Sequence, residues 1–462
     1  MFHHIVKPAH RGSLCQWTIA LIFLGLTIPA ISSPPVGPEE DLEILHGVYL
    51  LETPADQVIR TSYVTQSCVE AFGRHWPLMT DNPYVGATEI YLQIPFFKLL
   101  GRNAFCLRLV PVLLSLMTLL IMYRLFASWF GVLPAFLSAT LAATSPLFVH
   151  FSRQGHYTEE IFSIGFLWAG LYWFSRFFEG EEDRLRKLWL AFGALSFGLG
   201  FSHKITFIYY ALGLLVAGLM LSSGKLRGRF SKVELLIFGG AFLLGAMPII
   251  IYNLRSGGAT LDIMLSSLLE PTPKDHIDNL AYPGNLLTRI KQLVWIFLPG
   301  KLWEPLWFDY LKEEPLILNH LFTLTFIAGY VSLFFRKFRE KAGYGRQSVF
   351  FLDLFTVVFL LTPFTVSVIR PMHLSIMFPF PGIVTGLFLA GMYKLIPFRK
   401  IGRLVVVVVI GGIVATNVYL SAHYSVQASK NSPTADAWQT LREVRMLETD
   451  GAPIIPWKEE GN

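Results

Sequence analysis

The sequence predicts an all-α polytopic membrane protein of about 11 transmembrane helices, with further helices in the loops of one face. Three observations predict it. Of the 462 residues, 53% are hydrophobic and only 15% charged, against about 25% charged in a soluble domain. The mean hydropathy of +0.50 extends over the whole chain, more apolar surface than the interior of one soluble protein this size can hide. The apolar residues fall in continuous runs near helix-span length and do not alternate with period two, which excludes a barrel. Three cysteines are too few for a disulfide scaffold, and polar low-complexity sequence is lacking.

The runs lie at about 17–33, 105–126, 130–148, 161–178, 188–204, 206–223, 234–253, 316–335, 348–369, 374–393 and 404–422. The first could pass for a signal peptide, because Lys7 and Arg11 precede it and small residues close it. Ten further spans favour an uncleaved helix. Basic residues set the orientation. Arg184, Arg186 and Lys187, then Lys225, Arg227, Arg229 and Lys232, occupy two connections. Arg336, Lys337, Arg339, Lys341 and Arg346 occupy a third, and Lys394, Arg399, Lys400 and Arg403 a fourth. With Lys7 and Arg11 they fall on one side, which the positive-inside rule makes cytoplasmic. The net charge of +6 thus reads as topology, and no nucleic-acid partner is implied. The N-terminus is expected inside and the C-terminus outside.

A polytopic domain is therefore expected over 1–422, with a first outer loop at 34–104, a large outer loop at 254–315 and an outer tail at 423–462. In the first loop, Thr53-Pro54-Ala55-Asp56 reads as the start of a helix running to Gly73. In the second, Leu286, Ile290, Leu293, Val294 and Phe297 recur at helical spacing beside Arg289 and Lys291, as in an interfacial helix. No internal repeat is evident, which weighs against a transporter built from two related halves.

Most acidic residues fall on the outer side. Glu39, Glu40, Asp41, Glu43 and Asp56 lie in the first loop, and Glu159 and Glu160 open the fourth span. Lys204 ends the fifth, and Arg370 and His373 sit between the ninth and tenth. Carboxylates and cations converging at one membrane face suit a reaction on a lipid phosphate. The cations would neutralise the leaving group, and a carboxylate would deprotonate an acceptor hydroxyl or amine. Each residue also has a plainer explanation. Asp56 completes a T-x-x-D capping box with Thr53, and acids at a helix start suit the macrodipole. Lys204 and Arg370 can snorkel to headgroups, and Arg108 can simply anchor its span. His75, His150, His156, His203 and His373 show no H-E-x-x-H spacing, so neither a metal nor another cofactor is expected.

Several segments, in order, resemble the GT-C superfamily of integral-membrane glycosyltransferases. The similarity is to family 39, the protein O-mannosyltransferases and lipid A aminoarabinose transferases. They are Asp56-Gln57, Gly73, Trp76-Pro77 and Tyr91-Leu92-Gln93-Ile94-Pro95, followed by "FFKLLGRNAFCLRLVPVLLSLMTLLIMYRLF" at 96–126 and "SPLFVHFSRQGHYTEE" at 145–160. "FGLGFSHKITFIYY" at 197–210, "GAMPIIIYN" at 245–253 and "RPMHLSIMFPFPGIVTGLFLAG" at 370–391 complete the set. The resemblance is strongest over 53–253. Gln57 stands where the family has a second acid, and Ile205-Thr206 where it has Gly-Pro after the lysine.

The resemblance implies a GT-C-like fold and sugar transfer, with inversion, from a polyprenyl-phosphate-linked donor to a lipid, glycan or protein acceptor outside the cytoplasm. It implies catalytic roles for Asp56 and for Glu159 or Glu160, with Lys204, Arg370 and His373 near the donor phosphate. Glu40-Asp41 is a rival position for the base. The lack of an N-x-[ST] sequon with an allowed middle residue outside fits a bacterial inner membrane. The alternative is a transporter or lipid flippase, which would want ionisable groups at mid-bilayer; Asp353 is the one clear acid inside a span.

Overall fold

The computed structural model describes residues 11–32, 44, 47–58, 62–80, 82–101, 103–153, 158–180, 182–222, 230–269, 278–298, 317–365, 371–396 and 399–431. The helices are α1 (Arg11–Thr27), α2 (Ser62–Ser67), α3 (Thr88–Leu100), α4 (Ala104–Phe130), α5 (Val132–Thr144) and α6 (Pro146–Phe151). They continue as α7 (Thr158–Glu179), α8 (Asp183–His203), α9 (Phe207–Ser222), α10 (Lys232–Ser256), α11 (Ala259–Leu269) and α12 (Tyr282–Phe297). The last are α13 (Ile317–Phe334), α14 (Arg336–Ala342), α15 (Arg346–Leu361), α16 (Pro379–Leu395) and α17 (Arg399–Asn431).

Each apolar run read from the sequence overlaps one of these helices. Among the described residues, 6 helices are long and apolar enough to cross a membrane unaided, or 7 if the bent pair Leu318–Phe334 and Arg336–Ala342 is one span. The central helix is α16: its apolar window is 94% buried, against 22% for those of α1 and α10. The bundle therefore has an inner helix packed on all sides and outer helices whose apolar faces meet lipid. α17 continues to Asn431, beyond the predicted end of the last span.

Small residues set the closest crossings. A Cβ on Gly198 of α8 would collide with the Phe242 carbonyl of α10, and one on Gly245 of α10 would lie 2.6 Å from the Leu195 carbonyl. On α16, a Cβ at Gly386 would lie 2.5 Å from the Ser138 nitrogen of α5. Without a hydrophobic driving force between helices in lipid, such backbone proximity supplies dispersion contacts that larger residues would prevent. The abundant aromatics fill the wider gaps. Phe126 meets Trp168 edge-on at 5.5 Å and Phe351 at 4.8 Å, geometries that the ring quadrupole favours. The Trp129 indole donates to Ser175 Oγ at 3.0 Å.

α8 and α10 are also tied at the end of the bundle away from Lys204. Ser231 and Glu234 form a reciprocal capping box at the start of α10, and Arg186 of α8 reaches Glu234 at 3.3 Å. Charges at this end thus have helix-terminal work to do.

The first loop departs from the sequence expectation. In place of a helix from Thr53 to Gly73 there is a 3-10 turn at Ala55–Gln57, then α2, then a hairpin of β1 (Cys68–Ala71) and β2 (Arg74–Pro77). The expected Thr53–Asp56 capping box is absent: Pro54 occupies the cap position and no side chain caps the turn. A single 3-10 turn, closed by the Gln57 N–H to the Pro54 carbonyl at 2.9 Å, exposes too few free amides to need one. Phe72 and Gly73, both with positive φ, form the two-residue turn that matches strand twist. Alternating exposure along four-residue strands carries too little period-2 signal to compete with a helix-start motif.

The glycine crossings are testable. Gly198→Val should lower the melting temperature of the protein in nanodiscs by several degrees, because overpacking a helix contact costs about 1–3 kcal/mol. Gly218→Ala, whose added methyl meets nothing within 4 Å, should leave it unchanged or slightly raised.

Candidate active site

Lys204 ends α8, where the helix hands over to extended backbone. The chain of the first loop crosses directly over this junction. The Gly86 N–H donates to the His203 carbonyl at 2.7 Å, and the Ile205 N–H to the Tyr84 carbonyl at 3.1 Å. Val85 and Lys204 thereby form an isolated antiparallel bridge. Gly86 is required by the approach, since a Cβ there would collide with the Ser202 carbonyl. A strand-like pairing thus holds the Lys204 backbone and buries its side chain, 3% exposed over the whole residue.

A buried ammonium needs a carboxylate. Glu160, in the first turn of α7, supplies it: Lys204 Nζ lies 2.6 Å from Glu160 Oε1, with the side chains 4% and 3% exposed. His373, in the 3-10 segment Pro371–Met377 that leads into the central α16, places Nδ1 3.9 Å from the same oxygen. Three of the residues predicted from the sequence therefore converge on one buried point, each from a different element. Trp76, Pro77 and Tyr91 also come together: the Tyr91 hydroxyl donates to the Pro77 carbonyl at 2.6 Å and its ring stacks on Trp76 at 6.2 Å.

The remaining predicted residues are placed differently. Asp56 lies on the 3-10 turn with its side chain exposed. No contact among the described residues brings it to Glu160, Lys204 or His373. Arg370, Glu40 and Asp41 lie outside the described residues, as does the side chain of Glu159. His203 is fully buried and faces the ring of Phe162 at 5.1 Å. Arg108 is buried, and donates to the Ile31 carbonyl at 3.1 Å; Arg153 is buried in the same region and donates to the Ala30 carbonyl at 3.4 Å. Among the described residues, no three His, Cys, Asp or Glu side chains group as a metal site requires.

Arg289 is the residue that the sequence reading undervalued. It sits on α12, is 0% exposed, and donates through Nε to the Thr362 carbonyl at 3.0 Å and through Nη1 to Gln292 Oε1 at 2.7 Å. Burial lowers its pKa to about 10, so it still carries a full charge at neutral pH. Its field reaches His373, placing a second cation beside the Lys204 cluster. On this helix Arg289 and Gln292 face inward with Ile296 and Phe297, whereas Leu287, Ile290 and Val294 are exposed beside Lys291. Three further hydrogen bonds hold the start of α12 to the end of α15. Asn279 exchanges a pair of hydrogen bonds with the Thr365 backbone at 2.9 and 3.1 Å, and the Tyr282 hydroxyl donates to the Leu360 carbonyl at 2.9 Å.

Chemically, the arrangement gathers a buried lysine, its carboxylate and a histidine at one point. A lysine and an arginine are fixed in a water-poor setting, where their attraction for phosphate is far stronger than in bulk water. Glu160 pairs with the lysine.

Comparison with known proteins follows the same line. The family model described as dolichyl-phosphate-mannose-protein mannosyltransferase matches residues 83–252. ArnT of Cupriavidus metallidurans bound to undecaprenyl phosphate superposes with a TM-score of 0.53 at 12% identity, covering 91% of this chain and 75% of that one. Its apo state gives 0.56 at 13% identity, over 92% and 78%. The oligosaccharyltransferase AglB of Archaeoglobus fulgidus, in complex with an inhibitory peptide and a dolichol-phosphate, gives 0.55 at 12% identity over 96% of this chain; the present chain spans 58% of it. No curated protein sequence matches. The fold is the GT-C membrane fold, and the resemblance to family 39 read from the sequence stands.

The ion pair can be tested by a double-mutant cycle. Glu160→Gln or Lys204→Met alone should destabilise the protein by about 3–5 kcal/mol, because each leaves a buried charge behind. The double variant should recover much of that loss. Thermal melting of the purified protein checks both.

Proposed function

We propose that the chain is an integral-membrane glycosyltransferase. It transfers a sugar, with inversion, from a polyprenyl-phosphate-linked donor to an acceptor on the extracytoplasmic side. The observation that carries this reading is the buried Lys204–Glu160 pair, with His373 and Arg289 beside it, at one end of a GT-C fold. The undecaprenyl phosphate bound to ArnT and the dolichol-phosphate bound to AglB are ligands of the chemistry this cluster would attract.

In the proposed reaction a carboxylate takes the proton of the acceptor hydroxyl, and the oxygen attacks the anomeric carbon. The bond from that carbon to the phosphate oxygen breaks, and the phosphate departs with the electron pair. Lys204 and Arg289 neutralise the charge that grows on it, with Arg370 assigned to the same task. Glu160 holds Lys204 in place before the donor arrives, and His373 shares its oxygen. A single displacement of this kind inverts the anomeric centre. The base belongs to the first loop: Asp56, or the Glu40-Asp41 pair. Glu159, next to Glu160, is assigned to the acceptor side.

The positive-inside argument supports the orientation. The basic connections lie at the far end of α8 from Lys204, so the cluster faces away from the cytoplasm and the N-terminus lies within it. A bacterial inner membrane is the proposed location.

Mass spectrometry of envelope glycolipids and glycoproteins from cells with and without the gene should show loss of one hexose or pentose from a single class of product. Cells complemented with Lys204→Gln should make at least about 100-fold less product, as expected for removal of a charge that stabilises the transition state. If Asp56 is the base, Asp56→Asn should lose activity by about 100-fold or more. Full activity in both Asp56→Ala and Asp56→Asn would transfer the role to Glu40-Asp41, to be checked with Glu40→Gln and Asp41→Asn. An unaltered envelope in cells without the gene would contradict the reading as a whole.

A further inference from the structure

Tyr209 and Tyr210, adjacent on α9, each reach a backbone carbonyl of the chain between α15 and α16. That chain leaves α15 as residues 362–365 and returns as the 3-10 segment Pro371–Met377. Tyr209 donates its hydroxyl to the Phe364 carbonyl on the first arm. Tyr210, which is buried, donates to the Ile376 carbonyl on the second at 2.5 Å. Successive residues of a helix point about 100° apart, so one dipeptide can reach two arms. Each arm serves the cation cluster. Two residues before Phe364, the Thr362 carbonyl holds Arg289 Nε at 3.0 Å. Three residues before Ile376, and so one turn of 3-10 helix away, His373 places Nδ1 3.9 Å from Glu160 Oε1. The tyrosines are themselves joined closely to Lys204. The N–H groups of Phe207, Ile208 and Tyr209 donate to the carbonyls of Lys204, Ile205 and Thr206 at 2.9, 3.0 and 3.0 Å. Tyr209 lies in the field of Lys204 and Arg289, and Tyr210 in that of Glu160.

Packing of α9 on α15 does not need these hydroxyls. One turn further along α9, Gly213 lets α15 side chains sit close: a Cβ there would lie 2.8 Å from Leu354 Cδ1 and 3.0 Å from Val358 Cγ2. That contact seats the body of α15, whereas Phe364 lies beyond its end, where the helical ladder no longer holds the chain. We propose that, on the transferase reading from which this follows, Tyr209 and Tyr210 are positioning residues of the donor-phosphate site. Tyr209 holds the arm on which Arg289 rests, and Tyr210 holds the arm that carries His373. Both hydroxyls stand on the helix that begins at Lys204, so the lysine, the guanidinium and the imidazole keep a fixed spacing before the lipid phosphate arrives. Preset spacing is what lets cations act on a phosphate without a reorganisation cost. Without its hydroxyl bond an arm would leave α15 seated but let the group it places drift.

The test titrates the full-length protein in nanodiscs with undecaprenyl phosphate. Tyr209→Phe and Tyr210→Phe should each weaken binding about tenfold, the equivalent of one hydrogen bond to a buried partner. Their melting temperatures should stay close to that of the wild type, since Gly213 still seats α9 on α15. A merely structural role would loosen all contacts alike, whereas positioning predicts a pattern of coupling. Tyr209→Phe added to Arg289→Gln should cost less than about twofold more, because the arm has no guanidinium left to place. Added to His373→Gln, it should cost its full tenfold. Tyr210→Phe should do the reverse, coupling to His373→Gln and adding independently to Arg289→Gln. Lys204→Gln should weaken binding more than either tyrosine variant, which identifies the site being titrated. Wild-type binding in both tyrosine variants, equal losses in every pair, or a tyrosine variant that does not fold overturns the positioning role and leaves the donor site in place. Binding that is absent from the wild type, or unchanged in Lys204→Gln, contradicts the donor-phosphate reading itself and the positioning role with it.

Discussion

A lysine ammonium buried at a helix end needs a carboxylate in contact, and much of the site follows from that one requirement. Lys204 is covered because the first loop pairs its backbone with residues 203–205, and Glu160 must then enter from the first turn of α7. Placing both groups together fixes α7 against α8. It also brings the segment around His373 to the same point, and that segment starts the central helix α16. Loop, bundle and site are thus coupled through a charge that water does not reach.

The second consequence concerns α12. The apolar residues Leu287, Ile290 and Val294 turn outward and the polar Arg289 and Gln292 inward. The backbone carbonyl of Thr362 and the amide of Gln292 hold the guanidinium. The second loop thereby contributes a cation to a site otherwise built from the bundle.

Much of the fold was legible because apolar runs of span length admit one solution in lipid. Glu160, Lys204 and His373 were legible as charges at the ends of such runs, where ionisable groups are costly and therefore few. Three things were not. Arg289 was read as the polar flank of an interfacial helix, since spacing alone does not say which face of a helix meets lipid. The hairpin at Cys68–Pro77 was hidden under a helix-start pattern at Thr53-Pro54, because its strands are too short to show alternation. The burial of Thr416 and Asn417 left no trace, as two polar residues in a long apolar helix carry no period. Asp56 is exposed on its 3-10 turn, and Glu40-Asp41 lie outside the described residues.

The account depends on a lipid phosphate displacing Glu160 as the partner of Lys204. Cryo-electron microscopy of the protein in nanodiscs with undecaprenyl phosphate tests this most directly. The predicted result is a phosphate within hydrogen-bond distance, about 3 Å, of Lys204 Nζ and the Arg289 guanidinium, with Glu160 drawn away from the lysine. A phosphate bound elsewhere, with the Lys204–Glu160 pair intact, would contradict it.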